Sequence, residues 1–272
     1  MALFTTKNRQ AKVQPINRGG IDCRERISFS SSTSTREKFM KETATQHNTK
    51  QRQQNMSAKL TPKGIFFDLD GTIVDSREAY YEAARTAFQA MGQEPPSMAT
   101  ALEIPQRLEQ KQPLSPIFKG DIQEFLRIYL SAYYSVTAEK TTPIPNIAIA
   151  LKTLSEKAKL ALITMRNVPK QNVIAELTQF GIAQYFTHIV TAMDTHKPKP
   201  SPEALIKTVK AIDVQICDCI IVGDSISDIR AGKAAGAKTV AVLSGLFSRQ
   251  ELAKENPDLI LKDATKLPNH IA

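Results

Sequence analysis

The chain has 272 residues, 42% of them hydrophobic, and a formal net charge of +9, which suits one large domain or a core with a smaller insert. No run approaches the roughly 18 apolar residues of a membrane span. Three cysteines, Cys23, Cys217 and Cys219, make no disulfide framework and suit a reducing compartment, the cytoplasm. Twelve of the Lys/Arg residues but only four of the Asp/Glu residues fall within residues 1–60. The rest is therefore close to neutral, and nucleic acid is a disfavoured partner for it.

Residues 1–60 are rich in Ser, Thr, Gln, Asn, Lys and Arg, with a Ser/Thr run from Ser30 to Thr35. They lack the apolar periodicity that offsets ordering entropy and read as a disordered basic extension. Three origins compete: a start at Met56 with an upstream extension, a targeting peptide, or a basic arm for RNA or acidic surfaces.

The texture changes at Lys63. Gly64-Ile65-Phe66-Phe67 reads as a buried strand of a parallel sheet, ending at Asp68-Leu69-Asp70-Gly71-Thr72. Asp68 and Asp70 then share one side of an extended chain, roughly 6–7 Å apart. Such a carboxylate pair calls for a cation or a shared proton. Gly71 lets the backbone turn away and leaves amide groups free for an anion. An acidic turn is the plain alternative for these residues.

Ser76 suits a helix N-cap, followed by Tyr80, Ala84, Ala87, Phe88 and Met91 at helical spacing and closed by Gly92. Helical patterns recur at Ala101–Glu109 and Ile122–Tyr134, so residues 77–142 read as a small helical insert between core segments 61–76 and 143–272. Beyond Pro145 helices and strands alternate. The spacing predicts helices over 147–157, 171–180, 202–212 and 227–235, and strands over 159–164, 187–191, 219–222 and 239–243. This is a doubly wound, Rossmann-like α/β parallel sheet, whose ligands sit at the carboxyl ends of its strands.

A second pair of acids, Asp224 and Asp228, follows the strand Cys219–Val222. Asp228 alone would be an ordinary first-turn acid; Asp224 precedes the helix and has no such explanation. If the two strands are neighbours, three or four carboxylates converge, and hard oxygen donors with few His or Cys nearby select Mg²⁺.

Together these motifs resemble the haloacid dehalogenase superfamily from about Lys63 to the C-terminus. Motif one is Asp68-Leu69-Asp70-Gly71-Thr72, motif two is Thr164, motif three is Lys197 within Lys197-Pro198-Lys199-Pro200, and motif four is Gly223-Asp224 through Asp228. The resemblance implies Asp68 as nucleophile and Asp70 as general acid and base. It implies Thr164 and Lys197 as phosphoryl ligands. Mg²⁺ would be held by Asp68, the Asp70 carbonyl and Asp224, with Asp228 in support.

An aspartate at Asp70 points to phosphatases and mutases rather than dehalogenases. The insert matches a small helical cap, and Ser244-Gly245-Leu246-Phe247-Ser248-Arg249 resembles phosphoglycolate phosphatases and a pyrophosphate-cleaving branch. The expected substrate is a small-molecule phosphomonoester. Pyrophosphatase, nucleotidase and phosphosugar mutase are the enzyme alternatives, and a non-catalytic binding protein is the remaining one. Met165-Arg166-Asn167 departs from the Asn or Gly usual after motif two, and Arg166 reads as a loop cation, with a contact to substrate as the alternative. Arg107 and Lys111 are candidate cap contacts to substrate, with a solvated helix face as the alternative.

Overall fold

A computed structural model describes residues 59–272; the readings made above for residues 1–58 lie outside the described residues. The first strand, β1 (Gly64–Phe67), is buried along its length. Alternation sends Ile65 and Phe67 into one apolar layer and Phe66 into the other. A strand wetted on neither face belongs at the centre of a sheet, and that is where β1 lies.

After the short β2 (Val74–Asp75) come three helices, α1 (Arg77–Ala90), α2 (Met98–Glu109) and α3 (Ile122–Lys140), and then β3 (Thr142–Pro143). The remainder runs α4 (Ile147–Ser155), β4 (Lys159–Ile163), α5 (Lys170–Gln179), β5 (Phe186–Val190), α6 (Glu203–Ile212), β6 (Cys219–Gly223), α7 (Ile226–Ala235), β7 (Lys238–Val242), α8 (Arg249–Lys254) and β8 (Leu259–Leu261). Six strands form a parallel sheet in the order β5-β4-β1-β6-β7-β8. The reversal beside β1 is a topological switch point, where α/β proteins open a crevice at the carboxyl ends of their strands.

Register fixes what meets there. Phe67 pairs with Leu162 of β4 and with Val222 of β6, so the residues one step beyond the strands, Asp68, Thr164 and Asp224, are brought to one end of the sheet. The Asp68 N–H still donates to the Val222 carbonyl at 2.9 Å. That bond carries the ladder one residue past β1 and anchors the Asp68 backbone.

The helices α1–α3 are inserted after β1 and pack on their own core. Phe118 and Phe125 stack with ring centroids 4.3 Å apart, and Phe88 meets both edge-on. The chain leaves for this cap along β2 and returns along β3, which pair antiparallel as Val74 with Pro143 and Asp75 with Thr142. At the far end of the chain Leu60, read from sequence as part of the extension, bridges Ile271. Its N–H donates to the His270 carbonyl at 2.7 Å, so the core takes in at least this residue.

Candidate active site

Asp68 sits at the carboxyl end of β1, buried, with Lys199 Nζ 2.6 Å from its Oδ1. The same ammonium lies 2.6 Å from Asp228 Oδ1 and donates to the Ile163 carbonyl at 3.1 Å. Lys199 is thus the lysine of the site. Lys197, expected there from the motif, is exposed, and its backbone N–H donates to Glu203. The Lys-Pro-Lys-Pro segment offers two lysines, and only the fold shows which of them turns inward.

Asp224 is buried beside them, accepting from Thr72 Oγ1 at 3.2 Å and from the Leu246 N–H at 3.4 Å. Two glycines make room for it. Gly71, at φ +79°, stands where a Cβ would meet Asp224 Oδ2 at 2.5 Å, and a side chain at Gly245 would collide with the same carboxylate. Ser244 Oγ ties this loop to the Gly71 carbonyl at 2.6 Å.

Asp68, Asp224 and Asp228 bring one oxygen each within 4.8 Å of one another. Burial pushes the Asp68 carboxyl up to about 7, helped by Asp228 and Asp70 and opposed by Lys199. Burial, then Asp68 and Asp228, raise Asp224 well above the usual carboxylate range. Lys199 itself is held charged, since its two carboxylate partners outweigh its burial. One ammonium against three buried carboxylates leaves a deficit of positive charge, and an all-oxygen donor set fits a hard divalent cation. The donors already in place rank the three. Asp228 is engaged at both oxygens, by Lys199 on one and by the Ser225 N–H and hydroxyl on the other. Asp68 and Asp224 keep more free lone pairs for a metal.

Thr164 lies buried at the end of β4, its hydroxyl accepting from the Arg166 N–H at 3.1 Å. Asp70 points away from the trio into a ring of donors. Arg166 Nε donates to its Oδ2 at 2.9 Å and Nη2 to its Oδ1 at 2.6 Å. Tyr133 of the cap donates to Oδ1 at 2.9 Å, and the Ser76 hydroxyl also donates to Oδ1. Burial acts to raise the Asp70 carboxyl, but Arg166 and these hydrogen bonds outweigh it and hold it below the usual range. Ser76 does begin α1, yet its hydroxyl caps nothing there; Asp70 has taken it.

Arg166 is a second residue that sequence reasoning misplaced. It lies on the loop after β4 but is buried there, paired with Asp70 and with Glu176. The only signal in the sequence was its departure from the usual residues after motif two. Arg107 pairs with Glu103 on its own helix and reaches the Pro113 carbonyl, while Gln106 and Glu109 of the same helix turn toward the core. Gln106 Nε2 bonds the Leu246 carbonyl, and Glu109 Oε1 accepts from the Ser227 N–H at 2.9 Å. Between cap and core lies a cavity of about 90 Å³ with Asp68, Asp70, Lys199 and Asp224 on one side and Tyr80, Gln106 and Glu109 on the other.

A parallel sheet whose acids gather at the switch point beneath a helical cap defines a capped α/β enzyme. Residues 65–242 match the family of haloacid dehalogenase-like hydrolases, and the chain belongs to that family. Phosphoglycolate phosphatase of Pseudomonas fluorescens is 29% identical over 215 residues, covering 76% of this chain and 78% of its own. A Clostridium perfringens protein named as a pyrophosphatase is 30% identical over 201 residues, 72% of this chain and 91% of its own. Among solved structures, a haloacid dehalogenase-like hydrolase of Streptococcus pneumoniae superposes with a TM-score of 0.65 at 23% identity, over 76% of this chain and 97% of that one. Among the described residues no helix is long and apolar enough to cross a membrane.

Proposed function

We propose that the chain is a Mg²⁺-dependent phosphatase that hydrolyses a small phosphomonoester of the phosphoglycolate type through an aspartyl-phosphate on Asp68. The observation that carries this is Asp68 itself, a buried carboxylate at the end of the central strand, beside Asp224 and Lys199 and open to the cavity. In the first step a carboxylate oxygen of Asp68 bonds to phosphorus, and the bond to the leaving oxygen breaks with its electron pair. Asp70, a carboxylate at rest, relays to that oxygen a proton that the substrate monoanion brings. In the second step water attacks phosphorus, Asp70 takes the water's proton, and the bond to Asp68 breaks.

Lys199, in the role first read onto Lys197, and the Thr164 hydroxyl bind phosphoryl oxygens. Asp68, the Asp70 carbonyl and Asp224 would hold Mg²⁺, with Asp228 orienting Lys199. The ion would supply positive charge to the phosphoryl oxygens. The ~30% relative named as a pyrophosphatase supports inorganic pyrophosphate as the second reading. The free thiols of Cys217 and Cys219 suit the reducing cytoplasm.

The test is phosphate release by the full chain with Mg²⁺, across phosphoglycolate, pyrophosphate, sugar phosphates and nucleotides, with Asp68→Asn as the blank. Release is expected from the wild type and lost in the variant by at least about a thousandfold, the scale of removing a covalent nucleophile. Variant activity within about tenfold of wild type would remove Asp68 from the nucleophile's role.

A further inference from the structure

Arg166 is joined to more of the site than any single motif suggests. Its side chain is 3% exposed and forks onto both oxygens of Asp70. From its other side Nη1 reaches Glu176, a 4% exposed side chain on α5. Glu176 in turn accepts from the Thr141 hydroxyl at 2.6 Å. At the opposite end of the chain of contacts, Ser76 donates to Asp70.

Ser76 and Thr141 are not arbitrary partners. Asp75 and Thr142 are the outermost pair of the two-stranded ladder through which the chain enters and leaves the cap. Ser76 and Thr141 are the next residues on the cap side of that pair. A continuous polar chain, Ser76–Asp70–Arg166–Glu176–Thr141, thus runs from one strand of the hinge through Asp70 to the other. Tyr133 of α3 braces it, donating to Asp70, with the Arg166 guanidinium carbon 5.8 Å from its ring centroid.

The donors are unevenly shared. Oδ1 of Asp70 receives three, from Ser76, Tyr133 and Arg166, while Oδ2 receives only Arg166 Nε. Oδ1 is the anchored oxygen and Oδ2 keeps a lone-pair position for chemistry. A bidentate guanidinium fixes the plane of a carboxylate as well as its place, which an ammonium cannot do.

We propose that Arg166 is a positioning residue that aims the Asp70 carboxylate and ties its orientation to the two strands of the cap hinge. Arg166 touches no reacting atom; it acts through Asp70. This rests on the phosphatase reading, in which Asp70 hands a proton to the leaving oxygen.

The decisive quantity is kcat/KM against the acidity of the leaving group, because kcat/KM reports only steps through transfer of phosphorus to Asp68. An alkyl phosphate needs the proton from Asp70; 4-nitrophenyl phosphate releases a stable anion and needs it little. The proteins to compare are full-length wild type, Asp70→Asn, Arg166→Lys and the double variant Arg166→Gln/Glu176→Gln. The double variant removes one cation and one anion together, so that Glu176 is not stranded, and leaves the Asp70 carboxylate to Ser76 and Tyr133. Thr141→Val is the milder variant should the double one not fold.

For the double variant the alkyl phosphate should lose about 100-fold, the scale of general acid catalysis, while 4-nitrophenyl phosphate changes by less than about threefold. Asp70→Asn should show the same pattern, and Arg166→Lys should regain only part of the loss. Thr141→Val should shift the ratio in the same direction by a smaller factor. Equal losses on both substrates, or no loss on either, would overturn the positioning role while leaving the phosphatase reading in place if Asp70→Asn remains selective. A wild type silent on every phosphate with Mg²⁺ would overturn the phosphatase reading and the role of Arg166 with it.

Discussion

Lys199 and Lys197 stand two residues apart and differ in everything that matters to the site. Lys199 neutralises Asp68 and Asp228 from a buried position, whereas Lys197 is exposed. Replacing Lys199 by Met would leave two buried carboxylates without their cation, a change that costs about 3–5 kcal/mol. Lys199→Met should therefore lower the denaturation midpoint sharply and silence turnover, while Lys197→Met should alter neither. Equal effects in a urea titration and a phosphate-release assay would show that the buried lysine is not the working one. The positions of the four aspartates were legible in the sequence because each pair follows an apolar strand and so falls at the carboxyl end of the sheet, but the turn of Asp70 away from the other three was not. The lysine was not, because side-chain direction in a proline-rich loop has no period to read. Arg166 was hidden for the same reason: its partners, Asp70 and Glu176, come from β1 and α5, and only the packing of those elements brings them together.

The carboxylate trio would also set how a divalent metal and protons compete. Asp68 is pushed up to about 7 and Asp224 is raised as well, both chiefly by burial. A cation must displace whatever protons these groups hold, so its affinity should weaken as pH falls through about 7, and binding should release protons. Calorimetric titration of the full chain with Mg²⁺ in buffers of different ionisation enthalpy measures that release. Proton release that is absent at pH 6.5, or affinity that rises as pH falls, would contradict the raised carboxyl groups.

At the scale of elements, the cap is a small domain with its own core, and its aromatic cluster is the part to perturb. Phe125 is fully buried between Phe88, Phe118 and Tyr129. Phe125→Ala should cost about 3–5 kcal/mol, the usual toll of emptying such a site. Because the cap hangs on the short pair β2 and β3, the damage should concentrate there: amide exchange should quicken in α1–α3 and stay slow in β1, β4 and β6. Uniform loss of protection would mean that cap and core unfold as one. Periodicity placed the strands β1, β4, β5, β6 and β7 within a residue, but it began α2 three residues late, at Ala101, and ended α3 six residues early, at Tyr134. It passed over β2 and β3, which are two residues each, and β8, because elements so short carry no repeat to detect.

For the whole molecule the open matter is what residues 1–55 contribute, and three observations bear on it. The family match begins at Ile65. Among the described residues the core reaches back to Leu60, through its bridge to Ile271 near the C-terminus. The charge surplus belongs almost wholly to the first sixty residues, so the part that carries the site is nearly neutral. Met56–Ala272 forms one compact unit by its internal contacts. A protein beginning at Met56 should therefore fold and release phosphate at a rate within about twofold of the full chain, since removing a terminal segment matters only as far as its backbone is buried or bonded. The full chain should differ instead in its attraction to polyanions, an attraction that added salt screens out over a Debye length of about 10 Å at 0.1 M. Comparing the two proteins for turnover, and for retention on heparin against salt, separates the contributions. Lost turnover in the shorter protein would make the first 55 residues part of the catalytic unit; equal retention of both would show that their charge engages nothing.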